Sequence, residues 1–186
     1  ERSWGEELHQ VIRNGSVQCL LQPVVELETQ QVLGHEALAR GPRDTLFESP
    51  RAMFELSDRL GVAGELDRLC CDRALASAAE LGRPGKLFVN LRGAAAAHDD
   101  VALDALRAGI ERQGLEPADL VLEVSERLAD GADDLLVEQL AALKSSGFGL
   151  ALDDIGTGTT RLETIRKIDP DYLKIDVTLV RNLQAS

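Results

Sequence analysis

At 186 residues, 44% of them apolar, the chain has the length of one ordinary domain and enough apolar content for a globular core. Its 32 acidic residues against 20 basic ones leave a net charge of −12, which argues against a nonspecific grip on polymeric nucleic acid, where Lys and Arg must displace counterions. No apolar run approaches the roughly 18 residues of a membrane span, and the start, ERSWGEELHQ, lacks the basic and then apolar order of a signal peptide. A cytoplasmic domain with no membrane contact from this segment is expected. Glu1 in place of Met points to a piece cut or processed from a longer protein.

In chain order, Trp4, Leu8, Val11 and Ile12 recur at helical spacing until Asn14-Gly15 breaks the pattern. Val17–Leu27 and Val32–Leu38 are apolar runs separated by the polar stretch Glu28–Gln31, short enough for an antiparallel hairpin. Ser49-Pro50 supplies an N-cap and first-turn proline for a helix that stops near Gly61. A second helix carries Leu66, Leu69, Cys70, Ala74 and Leu75 on one stripe and ends at Gly82. Gly93–His98 is an alanine-rich loop.

From Lys86 the alternation is regular. Strands are predicted at Lys86–Asn90, Leu120–Val124, Gly149–Asp153 and Tyr172–Ile175, with helices at Val101–Gln113, Asp133–Ser146 and Thr160–Ile168. Short strands alternating with helices indicate a mainly parallel sheet with crossover helices. Polar residues at the end of nearly every strand, and no GxGxxG or GxxxxGK[ST] loop after the first, favour a barrel over an open doubly wound sheet.

Three cysteines, Cys19, Cys70 and Cys71, are odd in number, and the adjacent pair lacks the spacer of a zinc knuckle, so buried free thiols are expected. The histidines form no HxxxH or HExxH pattern. The chemistry lies instead with carboxylates.

Glu36, Asn90, Glu123 and Asp153 could supply oxygen ligands from four strands to Mg²⁺ or Mn²⁺, and Asp154 beside Asp153 could let two ions share a carboxylate. The plainer alternative is a salt-bridged barrel rim, with Glu123 and Asp153 paired to Lys174 or Arg40. Lys174 either orients an attacking water or forms an ion pair with Asp153 or Asp176. Glu126 either joins the metal shell or pins a neighbouring loop. The stretch from Asp154 to Thr160 lacks a Walker lysine and reads as a conformational loop.

Glu36-Ala37-Leu38 followed by Arg40, then VNL at Val89–Leu91, LEVSE at Leu122–Glu126, DDIGTG at Asp153–Gly158 and LKID at Leu173–Asp176, resembles the EAL family of bacterial cyclic di-GMP phosphodiesterases. Order and spacing match across about Val17–Leu183. The resemblance implies a TIM-like (β/α) barrel with an antiparallel first strand, and hydrolysis of cyclic di-GMP to linear pGpG with two Mg²⁺ or Mn²⁺ ions. It puts Glu36, Asn90, Glu123 and Asp153 at metal-ligand positions, with Asp154 beside the second metal. Lys174 takes the place of the lysine that positions the hydrolytic water. Gln22, in a QP motif at the end of the first strand, would contact a guanine, and Arg40 a phosphate or base. Glu126 would hold the DDIGTG loop. A homodimer and an upstream regulatory domain are compatible partners.

The chain departs from the family at Ile155, where an aromatic is usual, at Thr159-Thr160-Arg161, and at Arg92, where a serine is common. The family continues for roughly 60 residues beyond Leu183, with a catalytic-base glutamate and two further strands. Six strands cannot close an eight-stranded barrel of about 250 residues. A disordered or cleaved tail, completion by a second copy, and a truncated member without turnover are the competing explanations. Two functions follow: a phosphodiesterase, inactive if the chain truly stops at Ser186, or a noncatalytic module that binds cyclic di-GMP or a protein partner.

Overall fold

A computed structural model describes residues 3–82, 85–92, 100–126, 129, 134–156 and 162–178. It divides into two compact units, Glu1–Leu87 with Asp104–Leu115, and Phe88–Leu103 with Glu116–Ser186. The Gly93–His98 loop and Thr159–Arg161 fall outside the described residues.

The first unit opens with α1 (Trp4–Arg13), where the Ser3 hydroxyl accepts a hydrogen bond from Glu6 N and so satisfies one of the free amides of the first turn. Leu8 and Val11 are buried, whereas Trp4 is largely exposed and meets Phe47 edge-on at 6.4 Å. Strands β1 (Gln18–Val25) and β2 (Val32–Arg40) pair antiparallel, as the two apolar runs predict. Helix α2 (Pro50–Leu60) ends at Gly61, whose φ of 71° is the left-handed conformation a glycine cap supplies without a Cβ clash. Helix α3 (Ala63–Glu80) follows at once.

The apolar faces of these elements meet in one cluster that includes Leu8, Val11, Val17, Phe47, Met53, Phe54, Val62 and Leu66. Burial of such side chains contributes about 1.5–3 kcal/mol each before chain entropy is counted. Polar ties at the edge fix the helices: Arg73 donates to Gly15 O at 2.8 Å, and Arg112 reaches Asp72 at 3.1 Å from α4 (Asp100–Arg112). At Gly34 in β2 a Cβ would overlap the carbonyl oxygen of Lys86, so backbone approach there requires glycine.

Strand β3 (Lys86–Asn90) begins in the first unit and ends in the second. Within the second unit the order runs from the end of β3 through β4 (Leu120–Ser125) and β5 (Gly149–Ile155) to β6 (Tyr172–Ile175), with β4–β5 and β5–β6 parallel. Leu120 to Val124 are all buried, the unbroken pattern of a strand covered on both faces. Leu136, Leu140 and Leu143 form the buried stripe of α5 (Asp134–Ser145); α6 (Leu162–Ile168) leads to β6. Phe88 and Tyr172 pack edge to face at 5.3 Å.

At β5 the observed end differs from the expected one. Instead of ending at Asp153 it continues to Ile155, because a bulge absorbs the extra residue: Leu152 faces Leu173 and Ile155 faces Ile175, so Asp153 and Asp154 together stand opposite Lys174. Asp154 takes a φ of 59°, a left-handed conformation that Asp tolerates better than most residues. The three cysteines are free, as expected, but half-buried rather than enclosed. Burial, with Asp72 and Asp67 nearby, still pushes the Cys71 thiol up to about 12. No helix among the described residues is long and apolar enough to cross a membrane.

Candidate functional site

The second unit gathers Asn90, Glu123, Asp153 and Lys174 around one buried carboxylate. Glu123 sits in the wholly buried run of β4 and is 1% exposed. Its Oε1 lies 2.6 Å from Lys174 Nζ, and its Oε2 accepts from Asn90 Nδ2 at 3.3 Å. Lys174 also lies 3.2 Å from Asp153 Oδ2. An isolated carboxylate at this depth would cost several kcal/mol, so the ammonium beside it is a condition of its burial.

Strand parity produces this convergence. Glu123 faces Ala151 in the register, and Asp153, two residues further on, shares that face. The β5 bulge then sets Lys174 opposite Asp153 and Asp154. Glu123 and Asp153 bring carboxylate oxygens within 4.8 Å of one another. With the Asn90 amide nitrogen turned to Glu123, the Asn90 carbonyl oxygen remains as a hard donor, so the set is one that suits Mg²⁺ or Mn²⁺. Asp154 is exposed, and its backbone N donates to Asp153 Oδ1 at 2.9 Å.

Both readings of Lys174 and Glu123 thus share one geometry: the salt bridge exists, and it lies among the candidate ligands. Glu126, 3% exposed, accepts from Gly156 N at 3.1 Å, which ties the end of β4 to the first turn after β5. A contact of this kind is what pinning a neighbouring loop requires.

The other candidates belong to the first unit. Glu36 is not at a strand end; it is half-buried at the centre of the nine-residue β2, directly across from Gln22. Gln22 likewise lies inside β1 rather than at its end, and is exposed. β1 runs three residues past Gln22 before the turn, and β2 runs four residues past Glu36 after it. Arg40 closes β2 and donates from Nη1 to Ala39 O at 2.8 Å.

Sequence reading passed over Asp171 and Lys144, which brace the opposite ends of the same strands. Asp171 Oδ2 accepts from Leu150 N at 2.8 Å while Asp171 N donates to Leu150 O, and Lys144 Nζ stands 3.4 Å from Asp171 Oδ1. The signal was an Asp after Pro170 at the mouth of a strand, where a side-chain acceptor can start the ladder.

The family model described as the EAL domain matches residues 5–186. The probable cyclic di-GMP phosphodiesterase PdeG of Escherichia coli K12 is 30% identical over 187 residues, covering 97% of this chain and 36% of PdeG. The structure of the PaMucR phosphodiesterase in complex with c-di-GMP is similar with a TM-score of 0.85 at 26% identity, covering 97% of this chain and 75% of that one. The manganese/cy-diGMP complex of Klebsiella pneumoniae BlrP1 at pH 6 gives a TM-score of 0.79 at 30% identity, covering 90% of this chain and 42% of that one. The chain therefore spans about a third of the length of PdeG. The expected barrel-type architecture, with its antiparallel first strand, is the fold of these EAL structures. Because the family match runs through both compact units, the chain belongs to the EAL domain family.

Proposed function

We propose that this domain binds cyclic di-GMP and, with divalent metal, hydrolyses one of its phosphodiester bonds to give linear pGpG. The observation that carries the reading is the buried Glu123, held between Asn90 and Lys174 with Asp153 alongside. Ordinary stability gives little reason to bury a carboxylate in this way, since a well-packed apolar residue would serve as well or better.

In this reading Asn90, Glu123 and Asp153 would hold a first divalent ion and Asp154 would serve a second, with Glu36 of β2 as the further ligand that the family resemblance implies. Bound Mg²⁺ or Mn²⁺ would acidify a coordinated water and offset charge on the phosphate. Lys174 would hold the attacking water by hydrogen bonding and aim its oxygen at phosphorus. A P–O bond to the water oxygen would form as the ring P–O bond breaks, and the proton that the water gives up balances the one that the leaving oxygen takes. Gln22 and Arg40 contact the guanine and phosphate. Glu126, through Gly156 N, holds the turn after β5 in place.

Cyclic di-GMP is the partner in this reading, with a homodimer and an upstream regulatory domain as further ones, and the cytoplasm as the place of action. Turnover of cyclic di-GMP with Mg²⁺ or Mn²⁺, followed by chromatography, tests it. The expected product is pGpG, with Glu123→Gln reducing the rate by about a hundredfold or more. Tight binding with no product would convert the domain to a receptor. Neither binding nor product would sink the reading.

A further inference from the structure

We propose that Arg92 is a phosphate-gripping residue of the second unit, holding a nonbridging oxygen of the anionic diester; this rests on the cyclic di-GMP reading above. Strand β3 is assigned only to Asn90, yet Leu91 N donates to Glu123 O at 2.8 Å, so the chain stays tied to β4 for one more residue. After the wholly buried Leu87–Val89, exposure alternates over the last three residues: Asn90 exposed, Leu91 half-buried, Arg92 exposed. That two-residue period sets Arg92 on the face of Asn90, one step beyond a residue that touches Glu123.

The charge balance shows what a cation there would do. Glu123, Glu126, Asp153 and Asp154 bring four carboxylates to these strand ends. Lys174 stands 2.6 Å and 3.2 Å from two of them, so its charge is engaged within the protein. Metal ions would offset the carboxylates as well as one edge of a phosphate. A phosphate oxygen turned from the ions still needs a donor, and a guanidinium offers two parallel N–H groups in the geometry that phosphate accepts. A serine at this position could give one neutral hydrogen bond. Arginine gives charge, reach and a fork, so its effect falls on ligand affinity rather than on the bond-breaking step.

The test compares wild type, Arg92→Ser and Arg92→Lys in the full 186-residue chain. Cyclic di-GMP affinity is measured by calorimetry in EDTA, and kcat and KM with Mn²⁺. Arg92→Ser is expected to raise Kd and KM about tenfold, the scale of one charge-assisted hydrogen bond, while kcat changes less than about twofold. Arg92→Lys should recover part of the affinity. The Mn²⁺ concentration at half-maximal rate should stay constant, and thermal unfolding should confirm that the exposed substitution leaves the fold intact. Wild-type affinity in Arg92→Ser would overturn the assignment while leaving the cyclic di-GMP reading in place. Faster turnover or a lower Mn²⁺ requirement in Arg92→Ser would also overturn it, making Arg92 an opponent of the metal. A wild-type chain that neither binds nor hydrolyses the nucleotide would remove both proposals together.

Discussion

The two units treat their polar residues in opposite ways. In the second, Glu123 in β4 and Glu126 just after it are buried, and both have hydrogen-bonding or charged neighbours. In the first, Gln22 is exposed, Glu36 and Arg40 are half-buried, and among the described residues the buried side chains are apolar apart from Ser57, whose hydroxyl donates to Phe54 O. Chemistry and stability are therefore coupled in the second unit and separable in the first. Substitution of candidate residues should destabilise one region and leave the other unmoved.

The largest effect is expected at Lys174. Lys174→Met keeps much of the stem but leaves Glu123 buried without its cation, at a cost of about 3–5 kcal/mol in urea unfolding. Mn²⁺ should return part of that loss, raising the midpoint more in Lys174→Met than in wild type, because the ion would replace the missing charge. A loss below about 1 kcal/mol would mean that Glu123 is not held by Lys174, and the contrast between the units would collapse.

Next comes a change in the first unit that touches no candidate ligand. Gly34→Ala drives a methyl into the Lys86 carbonyl, where two backbones meet and neither is a flexible side-chain end. About 3 kcal/mol should be lost. Whatever folded protein remains should keep its metal requirement, since the stability of this unit is a matter of packing. A shifted metal requirement would show that the regions are not separable.

Glu126→Gln is milder. The amide retains an acceptor for Gly156 N but gives up the charge that strengthens the bond, so about 1 kcal/mol is at stake. The sharper readout is local: amide exchange at Gly156 should accelerate more than exchange in the β4 ladder. Equal acceleration in both would make Glu126 a core residue and not a loop anchor.

These residues also show what sequence could and could not disclose. Strand β3 was legible to the residue, because five apolar-to-polar positions between Gly85 and the end of VNL leave little freedom in the period. Glu123, Asp153 and Lys174 were legible as a group, since parity places such residues on one face once the strands are parallel. The bulge at Asp153 and Asp154 was not, because an aspartate's tolerance of positive φ has no period to read. Nor was the extension of β2 from Leu38 to Arg40 legible: composition marks an apolar run, whereas the hairpin register that carries the strand further is set by pairing with β1.

The smallest stability effect should come from Gln22→Ala, and it tests the first unit's half of the contrast. Gln22 is exposed on β1, opposite Glu36, and contributes no packing to the cluster around Leu66 and Phe47. Its removal should shift unfolding by no more than about 0.5 kcal/mol. Cyclic di-GMP affinity should nevertheless fall several-fold if the amide contacts a guanine edge, and the loss should be the same with and without Mn²⁺. Affinity lost only when metal is present would place Gln22 in the electrostatic network that the second unit displays. A stability loss comparable to that of Glu126→Gln would show that β1 depends on its polar face, and the separation of binding from folding in this unit would no longer hold.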